Sequence, residues 1–407
     1  MIWANLFHIY QPPNWDPIII ARVVTESYRP LLSILKRQPD IKITLNINAS
    51  LTEQLVQYKF NDIIDDLRLL GKRKQIEFTG SAKYHTILPL LPKEEVIRQI
   101  KLNSEVNKKY LGSVYKPRGF FPPEMCYSHK IAEIIKDLGF TWIALDEISY
   151  DGELGTARFD RSYQLRNGII IIFRHRFLTD YISFSAPVNN PNKLVEVINE
   201  DTRVDGHLIT AMDGENLGHH RLGADKMWEI AVQQFDTLTY SELIKKYKKV
   251  ELINPLRSSW SSRPDDIKSG VPYALWQDPD NSIHQLQWSL TYLVIHLTHQ
   301  AIGQNDPGAD SARIKLDSAL ASDQYWWASA KPWWSLDIVI RETKELVDVI
   351  TVLKSVPSAD KKQVVDLYDM IVREAKRWQN EGIAAERAEE HRLQTKEVRY
   401  MGGRRII

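Results

Sequence analysis

The amino-acid sequence predicts an α/β fold: an incomplete (β/α)7 barrel of parallel strands followed by a C-terminal α-helical bundle. Seven short apolar runs lie within the first 213 residues, and such runs are typical of strands buried in a parallel sheet. The segments between them repeat apolar residues at three- and four-residue spacings, as amphipathic helices do. Alternating strands and helices favour right-handed βαβ units, and seven units make a barrel one unit smaller than the eight-stranded type.

Each predicted strand ends in polar, mostly ionisable side chains, and barrel enzymes carry their chemistry at such strand ends. The apolar runs cover residues 3–7, 43–45, a short run at 76, 119–121, 142–145, 169–173 and 208–212. The polar residues that follow them are His8, Asn46 and Asn48, Glu77 and His85, Glu124, Asp146 and Glu147, Arg174, His175 and Arg176, and Asp213 and Glu215. This repeated pattern predicts a functional site at one end of the barrel.

Helical periodicity predicts helices between the strands over residues 18–36, 50–70, 93–110 and 128–138. Ser50 and Glu53 have the spacing of a capping box at the start of the second helix. Residues 150–168 contain Asp-Gly, Leu-Gly and Asn-Gly turns, which predict an extra hairpin between the fifth and sixth strands. After an irregular stretch, further helices are predicted over 283–301, 312–328, 335–356 and 359–379.

We therefore expect two domains. The first, residues 1–255, is the catalytic barrel, and the second, residues 256–407, is an α-helical domain that packs on the barrel and completes the active site.

Composition narrows the classes of function. The chain has 407 residues and a net charge of +1, so no charge excess favours nucleic acid or an anionic membrane as a partner. The single Cys126 rules out an intramolecular disulfide and fits a reducing compartment. The N-terminus enters a strand directly, and no apolar stretch approaches the length of a membrane span. We expect a soluble, cytoplasmic protein; its oligomeric state is left open.

Glu124 and Asp213 are the central candidates for chemistry, because each follows an apolar strand and precedes turn residues. Breaking or transferring a glycosidic bond needs two carboxyls, one to protonate the leaving oxygen and one to attack or stabilise the sugar. Taken singly, either residue would more commonly form a structural ion pair. Together with the other polar strand ends, the two favour a carbohydrate-active site.

Tryptophan is abundant, with 12 residues, and two pairs stand beside polar groups: Trp326–Trp327 and Trp333–Trp334. Flat rings next to hydrogen-bonding side chains suit sugars, whose C–H faces stack on aromatic surfaces. Large aromatics also dominate core packing, so these pairs by themselves fit either role.

A family resemblance sharpens this interpretation. Five segments of the chain resemble, in order, the motifs of glycoside hydrolase family 57, an α-glucan-active family: FHIYQP at residues 7–12, EFTG at 77–80 followed by YH at 84–85 and LP at 88–89, FPPEMC at 121–126, DGENLGH at 213–219 and SDQYW at 322–326. The resemblance spans residues 2 to about 330 and implies the same barrel with a following helical region.

The resemblance also implies roles for individual residues. Glu124 corresponds to the nucleophile, which forms a β-glycosyl-enzyme intermediate, and Asp213 corresponds to the general acid/base. The residues that it places as substrate-binding are His8, Gln11, Glu77, His85, Phe121, Glu215, His219 and His220, with Asp323 and Trp326 from the helical region. The chain departs from the family pattern at Tyr10, where a second histidine is common, and at Phe121 and His220, where tryptophan is common.

The sequence therefore predicts a retaining enzyme that cleaves or transfers α-glycosidic bonds of α-glucans or related oligosaccharides, without metal or organic cofactor. Its partner would be an oligosaccharide or polysaccharide substrate; hydrolysis and transfer are not separated. One alternative is a metal-dependent polysaccharide deacetylase-like enzyme, disfavoured because the chain has no His-x-x-x-His spacing. Another is a non-catalytic sugar-binding protein on the same barrel, which would not require both Glu124 and Asp213.

Overall fold

The structure, a computed structural model, describes residues 1–201, 203, 204 and 206–401. The chain forms two compact units, Met1–Ile267 (unit 1) and Lys268–Ile407 (unit 2). The described residues of unit 1 contain ten strands: β1 (Ile2–Ile9), β2 (Ile43–Ile47), β3 (Ile76–Phe78), β4 (Gly119–Phe120), β5 (Trp142–Asp146), β6 (Ser162–Gln164), β7 (Ile170–Arg174), β8 (His207–Asp213), β9 (Asp236–Thr237) and β10 (Val250–Leu252).

Seven of these strands form a parallel barrel. Hydrogen-bonded neighbours run β3-β2-β1-β8 in one sheet and β7-β5-β4 in the other. A parallel bridge between Gly80 and Phe120 joins β3 to β4. The backbone N–H of His175 donates to the carbonyl oxygen of Ile209 at 2.8 Å, which joins β7 to β8. These two contacts close the ring, and the predicted (β/α)7 barrel is confirmed.

Close packing inside the barrel explains a sequence feature of β4. A Cβ atom on Gly119 would lie 1.9 Å from the ring of Trp142, its partner on β5. Only glycine lets the two strands pair with this tryptophan between them. The neighbouring Phe120 is fully buried, so the strand that precedes Glu124 is set firmly in the core.

The helices of unit 1 surround the barrel. They are α1 (Pro17–Val23), a π-helical turn (Val24–Tyr28), α2 (Arg29–Arg37), α3 (Ala49–Gln57), α4 (Asn61–Lys72), α5 (Lys93–Leu111), α6 (His129–Asp137), α7 (Arg176–Asp180), a second π-helical turn (Tyr181–Ser185), α8 (Pro191–Glu200), α9 (Ala224–Val232) and α10 (Tyr240–Ile244), with α11 (Pro264–Lys268) at the division between the units. None of the helices in the described part of the chain is long and apolar enough to cross a bilayer.

Two local predictions are corrected. The helix expected over 50–70 is two helices, because Lys59 takes a left-handed conformation with φ of 64° and ends the first of them. The capping box expected at Ser50 is wrong: α3 begins after Asn48 and has no side-chain cap. A capping box does form at α10, between Thr239 and Glu242.

The insertion between the fifth and sixth barrel strands adds one strand. β6 pairs antiparallel with β7 itself and parallel with β10. The expected hairpin therefore consists of β6 and the barrel strand β7.

Unit 2 is helical. It contains α12 (Ser282–Gly303), α13 (Ala309–Ala319), α14 (Asp323–Ala328), α15 (Leu336–Thr351), α16 (Ser358–Asn380) and α17 (Ile383–Met401). The helix expected over 312–328 is divided into α13 and α14 by a short break.

The division between the units lies at 267, beyond the boundary expected after 255. The irregular segment between these positions is bonded to the barrel. The N–H of Tyr127 donates to Ser258 O at 2.8 Å, and Arg176 Nη1 donates to Ser262 O at 2.6 Å.

Candidate active site

Glu124 lies in a short turn directly after β4. Pro122 and Pro123 precede it, and both Glu124 and Met125 have left-handed backbone conformations, with φ of 57° and 49°. His85 is also left-handed, with φ of 54°. Such conformations cost roughly 1–3 kcal/mol each for residues other than glycine and collect at functional sites. The turn around Glu124 is therefore held by its surroundings.

The carboxylate of Glu124 is held by Trp260. The indole N–H of Trp260 donates to Glu124 Oε2 at 2.6 Å, and the backbone N–H of Trp260 donates to Glu124 O at 3.0 Å. The other oxygen, Oε1, lies 3.8 Å from His85 Nδ1. The Glu124 side chain is 19% exposed, which leaves it reachable from solvent.

Four rings are stacked beside Glu124. Tyr10 lies on His85 with 4.2 Å between centroids, His85 on His8 with 4.9 Å, and His8 on Phe121 with 4.8 Å, all within 19° of parallel. Trp260 meets His8 and Phe121 edge-on. Phe121, expected from the sequence to bind substrate, is fully buried as the end of this stack.

Both stacked histidines are neutral at pH 7. Burial lowers the pKa of His8 to about 4, against a bond to Asn46 that raises it, and lowers the pKa of His85 well below its usual range. Asn46 donates to Thr79 Oγ1 through its amide nitrogen, so its oxygen faces His8 Nδ1 at 2.6 Å. His8 therefore donates from Nδ1, and its Nε2 is an acceptor.

Asp213 ends β8 and is paired in register with His8 on β1. Burial raises its pKa from 3.8 to about 6, and the charge of Arg174 opposes that rise. Arg174 also donates to Trp260 O at 3.1 Å and to Asp146 at 2.5 Å. Arg174 therefore bonds the residue that holds Glu124, and its charge lowers the pKa of Asp213.

The barrel topology places the two carboxyls on opposite sides of its mouth. β8, which carries Asp213, is three strands from β4 through β7 and β5, and four strands from it through β1, β2 and β3. No larger separation exists in a ring of seven. Asp213 is the last residue of β8 and Glu124 follows β4, so both lie at the carboxyl ends of the strands, at the same end of the barrel.

Glu215 forms a second buried group beside Asp213. Its Oε1 accepts from Gln11 Nε2 at 3.1 Å, from the Tyr10 N–H at 3.3 Å and from the Tyr28 hydroxyl. Burial, and then the charge of Asp213, raise the pKa of Glu215 to about 7. Gln11, expected from the sequence to bind substrate, thus bonds to Glu215 beside Asp213.

Two expected site residues, Glu77 and His219, have other partners, and a third, His220, is exposed. Glu77 accepts from the Ser241 N–H at 2.9 Å at the start of α10, and its register partner Thr44 lies two residues before Asn46 on β2. The structure therefore does not bring Glu77 to the group around Glu124, because its position on the short β3 is too early. His219 Nδ1 lies 2.6 Å from Glu26 Oε2, and the neighbouring His220 is exposed.

Asp323 and Trp326 both lie on α14 of unit 2, where Trp326 packs with Trp327 and Trp333. Their participation in the site stays a prediction.

The sequence missed two residues that the structure brings to this group. Trp260 lies within the sequence SSWSS, in a segment without helical or strand periodicity. A single aromatic residue among serines was the one feature of the sequence that could have indicated a functional role. Tyr28 lies inside a helix and is 2% exposed, so its sequence pattern is that of a core residue. Among the described residues, no group of three or more His, Cys, Asp or Glu is arranged to hold a metal ion.

A seven-stranded α/β barrel with two carboxyls across its mouth is the scaffold of a class of enzymes. Comparison of sequences identifies the family. The sequence model of Glycosyl hydrolase family 57 matches residues 7–255, and the chain belongs to this family.

Several curated proteins are similar in sequence. An alpha-amylase from Pyrococcus horikoshii is 25% identical over 264 residues, 60% of this chain and 40% of that protein. A 4-alpha-glucanotransferase from Thermococcus litoralis is 23% identical, over 59% of this chain and 38% of that protein. The chain thus spans about two fifths of the length of these relatives.

Solved structures agree in fold. A family-57 branching enzyme from Pyrococcus horikoshii has a TM-score of 0.69 at 16% identity, covering 90% of this chain and 94% of that one. The 4-alpha-glucanotransferase from Thermococcus litoralis has a TM-score of 0.65 at 19% identity, covering 87% and 59%. At these identities the likeness establishes the fold.

Proposed function

We propose that this protein is a retaining enzyme that cleaves or transfers α-glycosidic bonds of α-glucans, with Glu124 as nucleophile and Asp213 as general acid/base. One observation carries the proposal: the two carboxyls belong to one cluster, connected on two sides. On one side, His85 lies 3.8 Å from Glu124 Oε1 and stacks on His8, the register partner of Asp213. On the other, Trp260 bonds Glu124 and accepts from Arg174, whose charge lowers the pKa of Asp213.

The reaction has two displacements. In the first, a Glu124 oxygen bonds to the anomeric carbon while the bond to the leaving oxygen breaks, and Asp213 gives its proton to that oxygen. In the second, Asp213 takes a proton from water or from a sugar hydroxyl, whose oxygen displaces Glu124. Two inversions return the α configuration.

The environments of the two groups support these roles. A general acid must hold its proton near neutral pH, and the burial that raises the pKa of Asp213 to about 6 favours this. A nucleophile needs a fixed carboxylate, and the indole N–H of Trp260 holds Glu124 by donating to its Oε2. The neutral His85 beside Oε1 adds no positive charge to weaken the carboxylate as a nucleophile.

The substrate class follows from the relatives. Proteins named alpha-amylase and 4-alpha-glucanotransferase are similar to this chain over about three fifths of its length, and a branching enzyme shares its fold. An α-glucan is the substrate class common to these names.

Azide rescue with a maltosyl fluoride tests both assignments, because fluoride leaves without an acid. Glu124→Ala should be inactive alone and, with azide, should form the β-glycosyl azide by a single inversion. Asp213→Ala should still form the intermediate, and azide should then give the α-glycosyl azide. NMR of the anomeric proton distinguishes these products.

Two carboxyls that pair with arginines elsewhere in unit 1 supply the matched controls. Glu229→Gln and Asp62→Asn alter surface ion pairs of the same unit and should retain wild-type rates. An α-azide from Glu124→Ala, or full activity of that variant without azide, would contradict the nucleophile assignment.

Incubation of the wild type with maltooligosaccharides distinguishes the three activities. Shorter products alone mean hydrolysis, longer linear products mean disproportionation, and new branch linkages mean branching.

A further inference from the structure

The π-helical turn Val24–Tyr28 meets the segment 214–219, which follows Asp213, through three successive residues. Ser27 Oγ donates to Gly214 O at 2.8 Å. The Tyr28 hydroxyl donates to Glu215 Oε1. Glu26 Oε2 lies 2.6 Å from His219 Nδ1.

The backbones of the two segments are also in close contact. A Cβ atom on Gly218 would lie 2.0 Å from Glu26 O, and Gly218 has φ of 112°. Glycine is therefore required at position 218 for two reasons: a side chain would clash with Glu26, and the backbone has a positive φ. This approach fixes the path of the chain after β8.

The turn itself is unusual. In an α-helix, three successive side chains fan out over about 200°, which would direct at least one of them away from a common neighbour. Single π-helical turns within α-helices are rare and are frequently found at functional sites. Here the turn lies between α1 and α2, and all three side chains reach one segment.

We propose that Glu26, Ser27 and Tyr28 are positioning residues that hold the segment 214–219, and through it the carboxyl of Asp213, in the geometry of the proton donor. The proposal rests on the proposed role of Asp213. Ser27 is 0% and Tyr28 is 2% exposed, so both act through their protein partners and not by touching substrate.

The bonds lie close to the group they would position. Gly214 is covalently attached to Asp213, and Glu215 follows one residue later. Proton transfer depends on donor placement within about 0.5 Å and 10–20°. The carboxylate of Glu215 accepts from the Tyr28 hydroxyl, from Gln11 and from the Tyr10 N–H. These bonds fix the first side chain after Asp213.

A comparison of leaving groups tests the proposal. Tyr28→Phe and Ser27→Ala should lower kcat/KM on maltooligosaccharides about tenfold or more, the effect of losing one strong hydrogen bond. On maltosyl fluoride, which needs no acid, the loss should stay below about twofold. In an Asp213→Ala background, Tyr28→Phe should cause no further loss on either substrate. Equal losses on both substrates in the single variants would overturn the proposal.

Tyr163→Phe is the matched control, because Tyr163 is also 2% exposed and its hydroxyl bonds elsewhere in unit 1, to Arg158 O at 3.1 Å. It should show no difference between the two substrates.

Hydrogen exchange gives a readout that does not depend on activity. Peptides covering residues 208–222 should exchange faster in Tyr28→Phe and Ser27→Ala than in the wild type or Tyr163→Phe. Unchanged exchange would overturn the positioning claim. If the wild type turned over neither substrate, the proposed function would fail, and the exchange result would still decide whether the turn holds the segment.

Discussion

Asp213 and Glu215 are two carboxyls at the end of β8 whose protonation is set by different neighbours. Burial raises the pKa of both, to about 6 and about 7. Asp213 ionises at the lower pH, and its negative charge then disfavours ionisation of Glu215. The charge of Asp213 therefore adds to the increase in the pKa of Glu215. The charge of Arg174 lowers the pKa of Asp213 and so opposes the effect of its burial.

The pH dependence of activity follows from this order. Asp213 is protonated below about pH 6 and loses its proton above it, so kcat/KM on maltooligosaccharides should fall as pH rises through that value. On maltosyl fluoride the same fall should be absent, because that leaving group needs no proton. A pH–rate profile on each substrate checks this, and an identical limb on both would contradict the assignment.

The same shift affects stability. A carboxyl whose pKa is raised on folding binds more protons in the native state than in the unfolded chain. Its contribution to the free energy of unfolding is therefore present at low pH and declines as pH rises from 3.8 through about 6. Asp213 is a group that costs the fold some stability at neutral pH.

At the scale of elements, an irregular segment supplies a central contact. The stretch between β10 and α11 has no regular structure, yet it carries Trp260, which bonds Glu124 and touches His8 and Phe121. Backbone bonds from this stretch to Tyr127 and Arg176 fix it on the barrel. A loop held in this way can place a side chain as firmly as a strand does.

Trp260→Phe should keep an aromatic ring but lose the N–H that holds Glu124. Because the proposed nucleophile is needed for every substrate, kcat should fall about tenfold or more on both maltooligosaccharides and maltosyl fluoride, the cost of one bond to a charged group. The steady-state rates of the variant measure this.

Trp142→Phe is the control, since its indole N–H donates to Ser241 at the other end of the barrel. Wild-type rates in Trp260→Phe would show that the bond to Glu124 has no role in catalysis.

At the scale of the whole molecule, ring closure brings the site together. Seven parallel strands direct their carboxyl ends to one face, and the positions of β4 and β8 in the ring separate Glu124 from Asp213 across the mouth. Such a barrel also suits a metal-dependent deacetylase, so metal dependence is a property worth measuring.

Dialysis against a strong chelator should leave the rate on maltooligosaccharides unchanged, because two carboxyls suffice for the proposed chemistry. Metal analysis of the dialysed protein and the rate before and after dialysis provide the measurement. A loss that zinc restores, together with acetate release from an acetylated sugar, would favour the deacetylase alternative.

Much of the barrel could be predicted because its signals are local. Each strand is a short apolar run, and each helix repeats apolar residues along one face, so pattern alone located all seven barrel strands. Finer features could not be predicted in this way. The left-handed conformation of Lys59 and the start of α3 after Asn48 are backbone details that an apolar periodicity does not record.

The sequence by itself determined the strands, the helices and the family motifs that name Glu124 and Asp213. Only the tertiary structure decided which neighbours those carboxyls have. Trp260 lies 136 residues from Glu124, and Tyr28 lies 187 residues from Glu215. Contacts at such separations leave no periodic trace in the chain, because they form only when the ring of strands closes.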